Sequence, residues 1–163
     1  MSDARPLGVL FVCLGNICRS PTAEGVFRAR LAEAGLAGRL RVDSAGTGDW
    51  HLGRPPDPRT RRAASERGYD LEGLRARQVT PADFGQFDYI LAMDLANLRD
   101  LERLRPDWYR GRLDLFLRAA GHPHGLEVPD PYAGDASHFE AVLELIEGGA
   151  GRLLDVLRRR HSL

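Results

Sequence analysis

Cys13 and Arg19 bracket a five-residue stretch, Leu14-Gly-Asn-Ile-Cys18, and Ser20-Pro21 follow at once. A loop of this length curling around an oxyanion brings a thiol and a guanidinium to one centre, a nucleophile beside a charge clamp. Arginine offers paired planar donors that match two phosphate oxygens, which the point charge of lysine does not. The loop dipoles favour the thiolate, the form of cysteine that attacks. Gly15 opens backbone orientations closed to other residues, and Asn16 belongs to the few other types that tolerate the left-handed region. Several amides of residues 14–19 can thus be aimed inward at a phosphate.

The flanking elements must hold that loop. Leu7 to Val12 is apolar without alternation, the pattern of a strand buried on both faces of a parallel sheet. Ser20 is expected at a helix N-cap, with Pro21 in the first turn where its missing N–H costs nothing. The loop then ends at a helix N-terminus, where unpaired amides and the helix dipole favour an anion.

Strand and helix patterns alternate along the rest of the chain, which is the signature of an α/β fold with helices covering both faces of a parallel sheet. A helix is predicted from Pro21 to Ala34, a second strand from Leu40 to Ser44 and a loop from Gly46 to Pro56. Asp57-Pro58 caps the next helix, which ends near Gly68. A third strand is expected over Phe87 to Met93, a helix over Leu95 to Leu104 and a fourth strand over Leu113 to Leu117. Ser137-His-Phe-Glu140 reads as a capping box opening the last helix, and Gly148-Gly149-Ala-Gly151 threatens a break within it.

Beyond the loop, Ser44-Ala-Gly-Thr47, Trp50, Pro56-Asp-Pro-Arg59, Ala76-Arg-Gln-Val79, Phe87-Asp-Tyr-Ile-Leu91, Met93-Asp94, Asn97-Leu-Arg99 and Asp130-Pro-Tyr132 resemble, in order, the landmarks of the low-molecular-weight protein tyrosine phosphatases. The resemblance spans nearly the whole chain and implies one phosphatase domain over residues 1–163. It implies a doubly wound, flavodoxin-like four-stranded parallel sheet of order 2-1-3-4, since pattern alone does not fix the order. It also implies hydrolysis of phosphotyrosine through a cysteinyl-phosphate formed on Cys13, phosphate binding by Leu14, Gly15, Asn16, Ile17, Cys18 and Arg19, and proton donation by Asp130. A departing phenoxide needs such an acid, and Pro131 restricts Asp130 to an extended conformation. Asp94 and Asp135 are the next acids to consider. Trp50 and Tyr132 are expected as two aromatic walls of a slot deep enough for a phenyl ring.

By the same resemblance, Ser20 supports Cys13 as leaving group, while Ser44 and Asn16 brace the loop. Leu74 departs from the pattern, standing where a histidine is expected in that bracing network. Cys18 is placed to trap an oxidised Cys13 as a disulfide.

Composition removes other classes. Of 163 residues, 23 are basic and 23 acidic, giving no electrostatic case for nucleic acid or an anionic membrane. Every basic residue is arginine, which excludes a Walker A loop and any Schiff-base lysine. No apolar run approaches a membrane span and the N-terminus has no signal-peptide core, so the expectation is a cytoplasmic protein. His122 and His124 lack a third ligand for a metal, Gly46-x-Gly48 lacks the third glycine of a dinucleotide fingerprint, and no cofactor is expected. Arsenate reductases share the fold and loop but need further cysteines, and none follows Cys18. A phosphoarginine phosphatase of the same family would carry threonine at Ile17. A phosphoprotein-binding module would need neither thiol nor acid. The expected partners are a phosphotyrosine protein, with a bacterial tyrosine kinase as its source by family analogy, and inorganic phosphate as product.

Overall fold

The computed structural model describes residues 5–123 and 126–163. Its centre is a parallel sheet of order β2-β1-β3-β4, built from β1 (Leu7–Cys13), β2 (Leu40–Gly46), β3 (Tyr89–Ala92) and β4 (Arg112–Leu115). This is the 2-1-3-4 order expected. β1 lies in the middle, pairing Cys13 with Gly46 of β2 on one side and Val12 with Ala92 of β3 on the other.

Both faces of β1 are buried, which is why its sequence does not alternate. Val9, Phe11 and Cys13 join one apolar cluster with α1 (Arg19–Glu33) and α5 (Ala136–His161). Leu10 and Val12 join the other, with Phe84 of a 3-10 helix (Pro81–Gly85) and Leu101 of α3 (Leu95–Leu104). Phe11 anchors the first cluster, meeting Phe27 and Phe116 edge-on at ring-centroid distances of 5.7 and 5.3 Å. α2 (Pro58–Glu66) packs on α5.

Several boundaries differ from expectation, each for a local reason. Ser20 is not an N-cap: α1 begins at Arg19, Cys18 occupies the cap without a side-chain bond, and the Ser20 hydroxyl turns into the loop. Asp135, not Ser137, caps α5, accepting from Ser137 N at 3.0 Å and pairing with His138 three residues on. β4 stops at Leu115 because Phe116–Ala119 winds into the short α4, which buries Phe116 and Leu117. The glycines of α5 break nothing. A Cβ at Gly149 would lie 2.8 Å from the Phe116 ring and 2.9 Å from Leu117, so the missing side chain lets the helix close on α4. Burial of Ile146, Ala150 and Leu153 on either side keeps it continuous. Asp57 caps α2 as expected, with Pro58 behind it.

Candidate active site

The loop leaves β1 at Cys13 and enters α1 at Arg19, at the C-terminal edge of the sheet, where open α/β folds place their ligands. Asn16 takes a left-handed φ of 57°, the conformation its type permits. Gly15 does not use that region. It is small because the His51 ring packs against it, 2.9 Å from where a Cβ would stand.

Cys13 is almost fully buried, 2% exposed as a residue. Its sulfur lies 3.0 Å from the Ser20 hydroxyl and accepts from the Asn16 backbone N–H at 3.3 Å. Asn16 ties the loop to its neighbours. Its side-chain Nδ2 donates to Ser20 Oγ at 2.7 Å and Ser44 Oγ at 3.0 Å, and its Oδ1 accepts from the Arg77 backbone N–H at 3.0 Å. Ser44 in turn donates to Glu24 at 2.7 Å, and Arg28 closes the chain by donating to Glu24 at 2.7 Å. Leu74, the position expected to differ, packs against the core, and Glu24 with Arg28 ends the network instead. Burial raises the Glu24 carboxyl above its ordinary range, against the hydrogen bonds from Ser44 and Arg28. Glu24 was not legible as a bracing residue, yet α1 carries a signal: its first two turns bury Arg19, Ser20, Thr22 and Glu24 where an ordinary amphipathic helix would bury apolar residues.

Arg19 is held by two partners from one nitrogen. Nη1 donates to Asp94 Oδ2 at 2.6 Å and to the Val128 carbonyl at 3.0 Å. Nη2 points toward Asp130, with Oδ2 at 3.7 Å. Asp94 is thereby committed, because its other oxygen caps α3 through Asn97 N at 2.8 Å. Asp135 is committed too, to the start of α5, where Ser137 and His138 hold its carboxyl down at about 2. Asp130 alone of the three faces the cavity. Its Oδ1 accepts from Tyr132 N at 3.1 Å, a turn across Pro131 that fixes the carboxyl's direction.

These residues surround a cavity of about 230 Å³, lined by Cys13, Leu14, Gly15, Ile17, Cys18 and Arg19 at its base and by Trp50, His51, Asp130 and Tyr132 at its walls. Trp50 and Tyr132 are 69% and 50% exposed and form the rim. His51, which the sequence did not single out, stands 6.2 Å from the Tyr132 ring. Burial pushes the Cys18 thiol up to about 12, with Thr60 as its hydrogen-bond partner. Among the described residues no three His, Cys, Asp or Glu side chains converge as metal ligands; His122 is half-buried in irregular structure, and His124 lies outside the described residues.

The comparisons agree with this geometry. Residues 8–163 match the family model of the low molecular weight phosphotyrosine protein phosphatases. The chain is 40% identical to the low molecular weight protein-tyrosine-phosphatase YfkJ of Bacillus subtilis, over 96% of this chain and 99% of that protein. It is 44% identical to a low molecular weight protein-tyrosine-phosphatase of Streptomyces coelicolor, over 93% and 94% of the two chains. The crystal structure of YfkJ superposes with a TM-score of 0.90 over 98% of this chain and 99% of that one, at 39% identity. A low-molecular-weight protein tyrosine phosphatase is therefore what the fold and loop define, and this chain belongs to that family of cysteine-dependent hydrolases.

Proposed function

We propose that the chain hydrolyses phosphotyrosine monoesters through a cysteinyl-phosphate on Cys13. The Cys13 thiolate attacks phosphorus while Arg19 and the amides of residues 14–19 hold the non-bridging oxygens, whose charge they are preorganised to meet. The P–O bond to tyrosine breaks as Asp130 delivers a proton to the departing phenolic oxygen. Asp130, now a carboxylate, takes a proton from water as that water attacks phosphorus; a P–O bond forms, the S–P bond breaks, and Cys13 leaves as thiolate beside the Ser20 hydroxyl. Inorganic phosphate is the product. The observation that carries this reading is the convergence on one cavity of a sulfur bonded by Asn16 N and Ser20, a guanidinium, and the one aspartate of three that is not spent elsewhere.

The walls select the substrate. Trp50 and Tyr132 suit an aromatic ring, and Cys13 is buried while they form the exposed rim, an arrangement that favours the longer phosphotyrosine over phosphoserine. Ile17 in the lining favours an aryl ester over phosphoarginine, and the acid favours turnover over simple binding. The described residues include no helix long and apolar enough to cross a membrane. In this reading the chain is a cytoplasmic enzyme acting on phosphotyrosine proteins such as a bacterial tyrosine kinase. The charge stabilisation comes from protein groups, so no metal is needed. Turnover of p-nitrophenyl phosphate tests this: full activity in EDTA and none in Cys13→Ser is expected, and loss on chelation or retained activity in Cys13→Ser overturns it.

A further inference from the structure

The segment from Pro129 to Gly134 carries the proposed acid, yet it has no regular structure and most of it faces solvent. A carboxyl that must meet a leaving oxygen within a few tenths of an ångström has to be held by something. One tether is Arg19, through the Val128 carbonyl. At the other end stands Arg59, in the first turn of α2. Its Nε and Nη2 both grip Asp57, at 3.0 and 2.9 Å, a carboxylate only 8% exposed. Its Nη1 reaches the Gly134 carbonyl at 3.4 Å. The guanidinium carbon lies 5.5 Å from the centre of the Tyr132 ring and 4.5 Å from that of Phe139 in α5. Arg59 is thus a wedge between the rim aromatic and the core, with its own orientation fixed by Asp57.

We propose that Arg59 is a positioning residue for the general acid: the Asp57–Arg59 pair, by clamping Tyr132 and Gly134, sets the direction of the Asp130 carboxyl. The link between clamp and acid is short, since the Tyr132 amide that Asp130 Oδ1 accepts belongs to the residue whose ring lies against Arg59. Arginine suits the task because one planar group serves the carboxylate, the carbonyl and two rings at once, and lysine lacks that fork. Arg59 also holds the Asp57 carboxyl below its usual range, so the pair stays ionised wherever the enzyme turns over.

The proposal rests on Asp130 being the acid, and the test separates the two. The measurement is kcat/KM for 2,4-dinitrophenyl phosphate, whose leaving group needs no proton, against phenyl phosphate, whose leaving group does. Asp130→Asn should raise the ratio of the two values about a hundredfold, and Arg59→Gln about tenfold, part of the contribution of a well-placed acid. In the Asp130→Asn background, Arg59→Gln should leave the ratio where Asp130→Asn put it. Arg59→Lys should fall between wild type and Arg59→Gln. Thermal unfolding of each variant monitors the fold, and a loss of stability alone lowers both substrates together without moving the ratio. An unchanged ratio in Arg59→Gln, with Asp130→Asn behaving as stated, overturns the role of Arg59 only. An unchanged ratio in Asp130→Asn overturns the acid assignment, and the positioning role with it.

Discussion

The two halves of the site are built on different principles. The nucleophile side is interior: Cys13, Asn16, Ser20, Glu24 and Ser44 are all at most 4% exposed. Its loop is stitched to the residues that follow β2 by backbone bonds from Thr47 N to Cys13 O and from Gly48 N to Leu14 O, each 2.9 Å. The acid side is a surface turn, with the Asp130 side chain 43% exposed and the segment tied down by arginines from α1 and α2. Under the proposed mechanism, rigidity suits the side that would hold a fixed oxyanion geometry through two chemical steps. A solvent-facing turn suits the side that would exchange protons with the leaving group and with water.

That contrast predicts how each half fails. The acid side should lose rate without losing fold, and its largest effect is on poor leaving groups: Asp130→Asn should lower kcat/KM for phenyl phosphate by about 10² or more and leave the unfolding temperature within a degree or two of wild type. Equal losses on phenyl and dinitrophenyl phosphates would move the acid elsewhere.

The nucleophile side should lose fold and rate together. Gly46 is the place to see it, because a Cβ there would stand 2.8 Å from the Leu14 carbonyl and 3.2 Å from the Asn16 amide. Neither is a flexible side chain, so the loop itself has to move. Gly46→Val is expected to cut turnover on good and poor leaving groups alike, by about tenfold or more for a displacement near 1 Å. It should also lower stability by about 1–3 kcal/mol, the usual cost of overpacking. A variant with normal kinetics would show that the loop does not depend on β2 for its shape.

The same division explains what the sequence disclosed. On the nucleophile side Cys13, Asn16 and Arg19 stood out in the sequence, because one strand–loop–helix pattern places them at a single turn, while the bracing by Asn16 and Ser44 came from family resemblance. Glu24 and Gly46 were not, since their roles arise only where α1 and β2 lie against the loop. On the acid side little was legible from pattern: Asp130 came from family resemblance, and Arg59, 71 positions earlier in the chain, showed only as the end of a family landmark at a helix start, with no link to Asp130. Helix caps misled for a related reason. Ser20 and Ser137 are good capping types, but Ser20 was drawn to Cys13 and Asn16, and Ser137 sits inside a turn already capped by Asp135.

The buried brace also leaves a pH signature. The Glu24 carboxyl titrates above its unfolded value of roughly 4.3, because burial outweighs the bonds from Ser44 and Arg28. The folded state then binds the proton more tightly than the unfolded one, so this group's contribution to stability is greatest below that value and declines as pH rises through the folded pKa. Glu24→Gln removes the charge and the decline with it. Measured by urea unfolding from acid to neutral pH, the variant should gain on wild type as pH rises; a constant difference would show that Arg28 neutralises Glu24 fully.

The smallest expected effect concerns Cys18, which lines the same cavity as Cys13. Peroxide is expected to oxidise Cys13 to a sulfenic acid. Cys18 can then displace hydroxide from that sulfur, forming a disulfide and water, and dithiothreitol returns both thiols. Only the thiolate of Cys18 attacks, and burial keeps its pKa near 12. The thiol form therefore dominates at neutral pH, and the reactive fraction grows as pH rises. Trapping should compete poorly with further oxidation at pH 6 and better at pH 8. After a peroxide pulse, the activity recovered in dithiothreitol should exceed that of Cys18→Ser, by a margin that widens with pH. Thr60→Val sharpens the test: the Thr60 hydrogen bond lowers the Cys18 pKa, so removing it should narrow that margin. Equal recovery of wild type and Cys18→Ser at both pH values rejects a protective role and leaves Cys18 as packing beneath the loop.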